Sequence, residues 1–446
     1  MLLWENRYNG PGNFDDEASA VAVDKSGNVV VTGYSGDSGT NNYYTAKYAA
    51  ASGALLWEKR GPGGGLLVMD GSGNVVVTGS SYNGTNYHFY SAKYAGTDGA
   101  LLWEHYYRWS TNSDEFVTGV AVDGNGNVAV TGYTWTNADY YTAKYAAADG
   151  TLLWERRYNG PANGVDASSA VAVDKSGNVV VTGFSAGSNG YGDYYTAKYA
   201  AADGALLWEK RYDGPANRQD GASAVAVDAS GNVVVTGASQ KLFFDSDYYT
   251  AKYAAADGTL LWEQRYDARG NQEDLNKQDY AQAVAVDGSG NVVVRGSSGG
   301  CLDCDTGDYY TAKYAAADGT LLWEKRYNGP ANRVDMVSFS GGLALGPNGI
   351  AITGSVDGWS AGGWKYDYGT VVYRENLPPV SIALVPAGIR LSFPGVAGLT
   401  YTIERAPAVT GPWNTITTPT APLNAFIEYV DTNAPAGSAF YRTHQP

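Results

Sequence analysis

The sequence AVAVDKSGNVVVTGFSAGSNGYGDYYTAKYAAADGALLWEKRY, residues 170–212, decides the fold. Four short runs in it, AVAV, NVVV, YYTAKY and LLWEKRY, are rich in β-branched and aromatic residues and predict four strands. The segments DKSGN and AAADG predict tight hairpins between the first two strands and between the last two. Both faces of each run are largely apolar, so a sheet of these four strands must be covered on both sides.

The same unit recurs along the whole first part of the chain. Its LLWE tryptophans are Trp4, Trp57, Trp103, Trp154, Trp208, Trp262 and Trp323. A repeat of about 50 residues that forms a four-stranded sheet covered by its neighbours is typical of a β-propeller. We predict an all-β fold in which residues 1–375 form a seven-bladed β-propeller of four-stranded blades. The lone LLWE segment at residues 2–8 is expected to be the N-terminal strand that closes the ring, by completing a blade with three strands in residues 339–373.

The pattern changes after residue 375. Residues 376–379, NLPP, predict an extended, Pro-containing linker. Residues 380–446 contain short alternating runs such as VSIALV, IRLSF and TYTIER, separated by turns rich in Gly and Pro. They predict a small C-terminal β-sandwich that resembles a fibronectin-III-like module.

Composition and charge exclude several classes of function. The net charge of −15 disfavours nucleic acid and anionic membrane surfaces, because a polyanion releases no counterions on binding them. No apolar run reaches the roughly 20 residues of a membrane span. Two cysteines and three histidines are too few for a His/Cys metal cluster. We therefore predict no nucleic-acid partner, no membrane span, no resident cofactor apart from a possible Ca²⁺, and a monomer.

The motifs DxxGNVVVTG, YYTAKY and DGxLLWEKRY resemble the bacterial β-propeller repeat called SBBP, and the resemblance covers residues 1–375. It implies a repeat protein that is secreted or held at the cell surface. The start of the chain, MLLWENRY, lacks the features of a signal peptide, so we expect an extracellular or cell-surface protein whose leader is absent from this chain. The run ADGxLLWE also resembles the tryptophan-docking repeat of quinoprotein propellers, in which the motif locks neighbouring blades together.

The loops between strands two and three, and those between blades, vary freely, whereas the hairpin loops are nearly constant. In an up-and-down sheet the two variable sets share one face, and variable loops on a rigid frame are where binding usually resides. Exposed aromatic residues in them could stack on sugars or anchor a protein partner. The candidate ligand-binding residues are Tyr82, Trp109, Trp135, Tyr191, Phe243, Phe244, Trp359 and Trp364.

Acidic residues recur on the same face, at a constant offset before the first strand of a unit. They are Asp16, Glu115, Asp166, Asp220 and Asp279. Oxygen ligands of this kind suit Ca²⁺. The alternative is a repeated cap, in which each carboxylate accepts backbone N–H groups at a turn. Cys301 and Cys304 form a CxxC segment in a long loop, which favours a local disulfide in an oxidising compartment, with metal binding as the alternative.

A lysine on strand three and a glutamate on strand four recur in most units, as Lys198 and Glu209 do in residues 170–212. We expect them to form cross-strand ion pairs.

No set of residues suggests a catalytic mechanism, since three histidines offer no convincing Ser–His–Asp arrangement. We therefore predict that the chain is not an enzyme but a binding or scaffold propeller, whose ligand, a glycan or a protein, is held on the variable-loop face. Two alternatives remain, a quinoprotein-like enzyme and a carbohydrate-active lyase or hydrolase, both using the central funnel of the propeller.

Overall fold

The computed structural model describes residues 3–37, 40–107, 113–135, 138–242, 245–268, 278–300, 308–328, 342–346, 349–360, 363–373, 381–394, 400–408, 411–420, 426–434 and 439–444. All regular elements in these segments are strands, and no membrane-spanning helix occurs among them. The chain divides into two compact units, Met1–Leu343 with Ile352–Thr370 and Ala344–Ala351 with Val371–Pro446.

Six groups of four antiparallel strands follow one another in chain order in the first unit, each with its strands paired in sequence, and we call each group a sheet. A single parallel pairing, Ser246 with Gln278, joins the fifth sheet to the sixth. Their strands are β1 (Asp16–Val23), β2 (Val29–Asp37), β3 (Thr40–Tyr48), β4 (Leu55–Gly61); β5 (Leu66–Met69), β6 (Val75–Tyr82), β7 (Tyr87–Tyr94), β8 (Leu101–Tyr107); β9 (Glu115–Val122), β10 (Val128–Thr134), β11 (Tyr140–Tyr145), β12 (Leu152–Tyr158); β13 (Asp166–Val173), β14 (Val179–Ala186), β15 (Gly192–Tyr199), β16 (Leu206–Tyr212); β17 (Asp220–Val227), β18 (Val233–Leu242), β19 (Asp245–Tyr253), β20 (Leu260–Tyr266); and β21 (Gln278–Val286), β22 (Val292–Gly300), β23 (Asp308–Tyr314), β24 (Leu321–Tyr327). A further sheet has three strands, β25 (Leu343–Gly346), β26 (Gly349–Ser360) and β27 (Gly363–Tyr373).

The arrangement of these sheets is that of a β-propeller. The first strands of successive sheets contact one another, as β9, β13, β17 and β21 do, so they converge on a common axis. The fourth strands carry half-exposed leucines and lie on the outside. Between neighbouring sheets lies an apolar core: Tyr194 and Trp208 of the fourth sheet pack with Val233, Val235 and Tyr249 of the fifth. Equivalent cores fill the other four junctions between the first and the sixth sheet, so the second to fifth sheets are covered on both faces, as the apolar pattern requires.

Side-chain contacts that recur in each repeat connect each of the first five sheets to the next. Trp208 Nε1 donates to the carbonyl oxygen of Ala255 at 3.3 Å, and Lys198 Nζ donates to the same oxygen at 3.0 Å. Lys198 also lies 2.9 Å from a carboxylate oxygen of Asp174, in the first hairpin of its own sheet. Equivalent lysine–aspartate pairs are Lys47–Asp24, Lys93–Asp70, Lys144–Asp123, Lys252–Asp228 and Lys313–Asp287.

The expected pairing of these lysines with strand-four glutamates is therefore wrong. In the strand register Lys198 lies opposite Trp208, whereas Glu209 lies opposite Ala197, so the two charged side chains leave opposite faces of the sheet. Glu209 instead accepts a hydrogen bond of 2.8 Å from the Tyr195 hydroxyl group. The partner of Lys198 is Asp174, which lies in the turn between the first and second strands and not on the fourth strand.

The N-terminal segment differs from its prediction as well. The described residues 3–8 form no strand, although Trp4 Nε1 donates to the Ala50 carbonyl at 2.9 Å and the Tyr8 ring stacks on Tyr44 at 3.7 Å. These are the contacts that a fourth strand makes with the following sheet. A strand also needs a backbone ladder, and none is described between residues 3–8 and the three-stranded sheet β25–β27.

The second unit contains two three-stranded antiparallel sheets. Their strands are β28 (Ser381–Val385), β29 (Gly388–Pro394) and β32 (Phe426–Asp431) in one sheet, and β30 (Thr402–Ala406), β31 (Asn414–Thr417) and β33 (Phe440–His444) in the other. One apolar core joins the two sheets, with Leu391 and Phe393 from the first packing against Ile403 from the second.

Candidate ligand-binding site

The first strand of most sheets contains a β-bulge near the axis. In β13 the pairing with β14 skips one residue between Ser168 and Ala170, so Ser169 is unpaired. The skipped residue is polar each time, although the strand around it is apolar, and the set is Ser19, Thr118, Ser169, Ser223 and Gln282. A bulge re-aims the side chain of its extra residue. The repeat thereby places a polar side chain at the equivalent position of the first strand in several sheets.

The glycine that ends VVVTG makes this bulge possible. A Cβ atom on Gly183 would lie 2.1 Å from the carbonyl oxygen of Ala167 on the bulged strand. The corresponding glycines Gly33, Gly132, Gly237 and Gly296 meet a carbonyl oxygen at 1.9–2.1 Å in the same way. The recurring glycine therefore allows the backbones of the first two strands to approach each other closely.

A cavity of about 760 Å³ opens where these bulges meet. Its described lining contains hydroxyl groups, an amide and aromatic rings, and no charged side chain. The lining residues that matter for binding are Thr118, Ser169, Ser223, Gln282, Tyr133, Trp135 and Phe184. The Oε1 atom of Gln282 is buried and has no hydrogen-bond partner among the described residues, so an acceptor is available to a ligand. We call this the axial cavity.

Aromatic rings lead from the axial cavity across the variable-loop face. Trp135 is 68% exposed and its ring lies 6.0 Å from that of Phe116. Phe116 lies 6.1 Å from Tyr87, which lies 5.1 Å from Tyr82, 46% exposed. We call Tyr82, Tyr87, Phe116 and Trp135 the aromatic path.

The structure thus brings together two of the predicted binding residues, Tyr82 and Trp135. Tyr191 lies half-buried in the loop between β14 and β15 and is not among the residues that line the axial cavity. The remaining candidates are not placed in a site. Trp109, Phe243 and Phe244, like the CxxC pair Cys301 and Cys304, lie outside the described residues, and Trp359 and Trp364 fall within β26 and β27 without described side chains.

The predicted acidic ligands accept hydrogen bonds from backbone N–H groups. Asp166 accepts from Gly160 at 2.6 Å and from Ala186 at 3.2 Å, and Asp220 accepts from Gly214 at 2.6 Å. Asp16 and Asp279 accept from Gly10 and Ala268. Glu115 lies instead 3.5 Å from Nδ1 of the buried His88. These contacts are those of a turn cap; calcium binding at these residues stays a prediction.

One group of three carboxylates occurs among the described residues. Oxygen atoms of Asp247, Asp267 and Asp279 lie within 4.8 Å of one another. Burial raises the pKa of Asp247 and of Asp279. The ammonium group of Lys241 lies 2.8 Å from Asp247 and 2.9 Å from Asp267, so this group already holds an internal cation.

Several residues of the site were missed from the sequence, namely Tyr133, Phe184 and the bulged polar residues. Tyr133 and Phe184 directly follow the recurring glycine, in a position that is aromatic in some units and small in others. The bulged residues could have been found from the sequence. Each is a polar residue inside an otherwise apolar first strand, and the glycine of VVVTG follows on the second strand.

Solved structures with similar folds include three enzymes. The quinohemoprotein alcohol dehydrogenase of Comamonas testosteroni is 10% identical, with a TM-score of 0.47 over 82% of this chain and 68% of its own. The polysaccharide lyase Uly1 is 12% identical, with a TM-score of 0.47 over 82% and 91%. A europium-containing methanol dehydrogenase is 10% identical, with a TM-score of 0.44 over 85% and 84%. A search of curated protein sequences gives no match.

These neighbours contradict the prediction that the chain is not an enzyme, and that prediction is wrong in the light of the comparison. Identities of 10–12% concern the fold alone, so no particular activity follows for this chain.

A family model described as outer membrane protein assembly factor BamB matches residues 89–314, just over half of the 446 residues. The matched segment spans the third, fourth and fifth sheets together with parts of the second and sixth, and it includes all of the described lining of the axial cavity. The chain belongs to this BamB family of β-propeller proteins.

Proposed function

We propose that the chain binds a neutral carbohydrate chain, with one end in the axial cavity and the rest along the aromatic path. The observation that carries the proposal is the lining of the cavity. Hydroxyl and amide groups of the bulged residues line the same cavity as the Trp135 ring, and the described lining has no charge. Sugars offer both matching surfaces, hydroxyl groups for hydrogen bonds and C–H faces for stacking on aromatic rings.

The dimensions also support a glycan. A volume of about 760 Å³ lies within the range of small-ligand sites, roughly 300–1,000 Å³. The three ring separations along the aromatic path are 5.1, 6.1 and 6.0 Å, so an extended oligosaccharide could contact successive rings. A short ligand would occupy the cavity alone.

A quinone cofactor fits this cavity poorly. Pyrroloquinoline quinone carries three carboxylate groups and is held with a divalent cation, so its site needs basic side chains and acidic metal ligands. The described residues that line the axial cavity supply neither. The polar side chains in this lining are hydroxyl groups and the Gln282 amide, and we derive no step through this cofactor.

Several finer features belong to the same proposal. We propose seven blades over residues 1–375, a linker at 376–379 and a fibronectin-III-like sandwich at 380–446, in an SBBP-type monomer. We also propose a location outside the cytoplasm, in the cell envelope or at the cell surface. The family name, outer membrane protein assembly factor, supports the envelope and offers a protein partner as the competing occupant of the variable-loop face.

The test is the binding of neutral oligosaccharides of two lengths, a disaccharide and a hexasaccharide of each common backbone type, followed by tryptophan fluorescence. We expect Trp135→Ala to weaken the affinity for the disaccharide and for the hexasaccharide by about tenfold or more, since a central aromatic anchor contributes about 1.4 kcal/mol or more. Tyr82→Ala should weaken the hexasaccharide alone. Tyr106→Ala, which removes an exposed ring on the outer strand β8, is the matched control and should change neither.

Product analysis of the same mixtures separates binding from turnover. Shorter or unsaturated products would show that the bound glycan is a substrate, in accord with the carbohydrate-active alternative. Equal affinities in all variants, or no binding to any glycan together with capture of a protein by the variable-loop face, would overturn the proposal.

A further inference from the structure

One residue of the sixth sheet breaks the repeat inside a buried strand. The motif VVVTG reads VVVRG at residues 292–296, so Arg295 stands where the other five four-stranded sheets have threonine. Those threonines are Thr32, Thr78, Thr131, Thr182 and Thr236. In a typical sheet, the threonine bonds to a hydroxyl group across the strands: Thr182 Oγ1 lies 2.8 Å from Thr196 Oγ1.

Arg295 has the burial of its threonine counterparts but not their hydrogen bonds. Its side chain is 1% exposed, and its Nε and Nη1 atoms are buried without a hydrogen-bond partner among the described residues. Thr311, which lies opposite Arg295 in the register, is fully buried and its hydroxyl group also lacks a partner. This pair of opposite residues therefore leaves three buried polar atoms without a hydrogen-bond partner among the described residues.

An unpaired charge in such an environment is strongly unfavourable. Burial lowers the pKa of Arg295 to about 10, against the opposing influence of the hydroxyl groups of Tyr248 and Tyr309. The group is still fully protonated at neutral pH. Among the described residues, no carboxylate or carbonyl accepts a hydrogen bond from Nε or Nη1, so this part of the chain supplies no group that balances the charge.

We infer that Arg295 and Thr311 bind a small monovalent anion, a chloride ion or a formate-sized carboxylate. Each of the unpartnered nitrogen atoms is a donor, and the threonine hydroxyl group can donate as well. A charge-assisted hydrogen bond to an anion is stronger than a neutral one, so the anion would replace the lost contact between two hydroxyl groups. This site is separate from the axial cavity and does not depend on glycan binding.

The experiment compares the thermal unfolding midpoint in sodium gluconate, whose anion is too large for a buried site, with that in sodium chloride or sodium formate at equal ionic strength. We expect a rise of about 3 °C when either small anion is a hundredfold above its Kd. A chloride-specific rise identifies a halide site, and a larger rise in formate identifies a carboxylate site. Broadening of the ³⁵Cl NMR signal, reversed by formate, reports binding without unfolding.

The chain itself offers the matched variants. Arg295→Thr restores the sequence of the other sheets, so it should fold, unfold at a higher temperature than the parent in gluconate, and lose both the anion-specific rise and the ³⁵Cl broadening. Arg7→Thr removes the same charge from a side chain that is 90% exposed and should behave as the parent does. An equal midpoint of the parent in all three salts, or an anion effect retained in Arg295→Thr, would overturn the inference.

Discussion

Replacement of Lys198 by methionine tests the lock between sheets most sharply. The Lys198 side chain is 2% exposed and that of Asp174 is 6% exposed, with 2.9 Å between their charged atoms. Removal of one partner of a buried ion pair destabilises a protein by about 3–5 kcal/mol, because the other charge stays buried without compensation. Lys198→Met also removes the hydrogen bond to Ala255 in the following sheet. We therefore expect the free energy of unfolding to fall by about 3–5 kcal/mol.

Two further variants show which partner the lysine has. Glu209 is exposed and accepts one hydrogen bond, so Glu209→Gln should lower the free energy of unfolding by about 1 kcal/mol or less. Lys175→Met removes an exposed lysine from the same hairpin and should change it by about 0.5 kcal/mol at most. The double variant Asp174→Asn with Lys198→Met should be less destabilised than the sum of its parts.

Urea unfolding followed by tryptophan fluorescence supplies these numbers, since Trp208 lies at the same junction. Equal losses for Lys198→Met and Glu209→Gln would refute the argument and restore the pairing predicted from the sequence. Additive effects of the Asp174 and Lys198 changes would also refute it, because residues that interact directly show a coupling energy.

Three other predictions follow from the same geometry. Gly183→Ala places a Cβ atom 2.1 Å from the Ala167 carbonyl oxygen, so we expect insoluble protein or a loss of about 3 kcal/mol or more in urea unfolding, and near-parental stability would contradict the close approach. Hydrogen bonds from the strand-three lysines and turn asparagines outweigh burial and lower the pKa of the six turn aspartates. The contribution of these aspartates to stability is present above the unfolded pKa of about 4 and is lost as pH falls below it. The unfolding midpoint should therefore drop steeply below pH 4, and a flat profile would count against these contacts. Lys241→Met removes the internal cation beside three carboxylates, so it should create a Tb³⁺ site with tyrosine-sensitised luminescence that the parent chain lacks, and equal luminescence of parent and variant would show that the lysine does not fill the site.

The sheets themselves could be predicted closely from the sequence. The four runs quoted for residues 170–212 correspond to β13, β14, β15 and β16, because hairpin turns and β-branched runs are local signals. The lysine partner could not be predicted in the same way. Every residue of YYTAKY in β15 is buried, so the strand shows no alternation that would reveal which face Lys198 takes. Its partner lies in a turn that only the three-dimensional hairpin brings near.

The candidate site was only partly accessible from the sequence. Loop variation predicted a binding face that carries Tyr82 and Trp135, but it did not reveal the rings that lie between these two residues. That connection runs through Tyr87 and Phe116, which belong to regular strands and look like core residues. The axial cavity depends on bulges, which shift the register by one residue and turn a polar side chain toward the axis, and the length of a strand does not reveal such a shift.

The most direct test of the proposed function is ¹⁹F NMR of the chain labelled with 5-fluorotryptophan and titrated with a neutral hexasaccharide. The resonance of Trp135, assigned by its loss in Trp135→Phe, should shift with the fraction bound, while that of the buried Trp208 stays in place. An unmoved Trp135 resonance at saturating glycan, or equal shifts at Trp135 and Trp208, would contradict carbohydrate binding at the axial cavity.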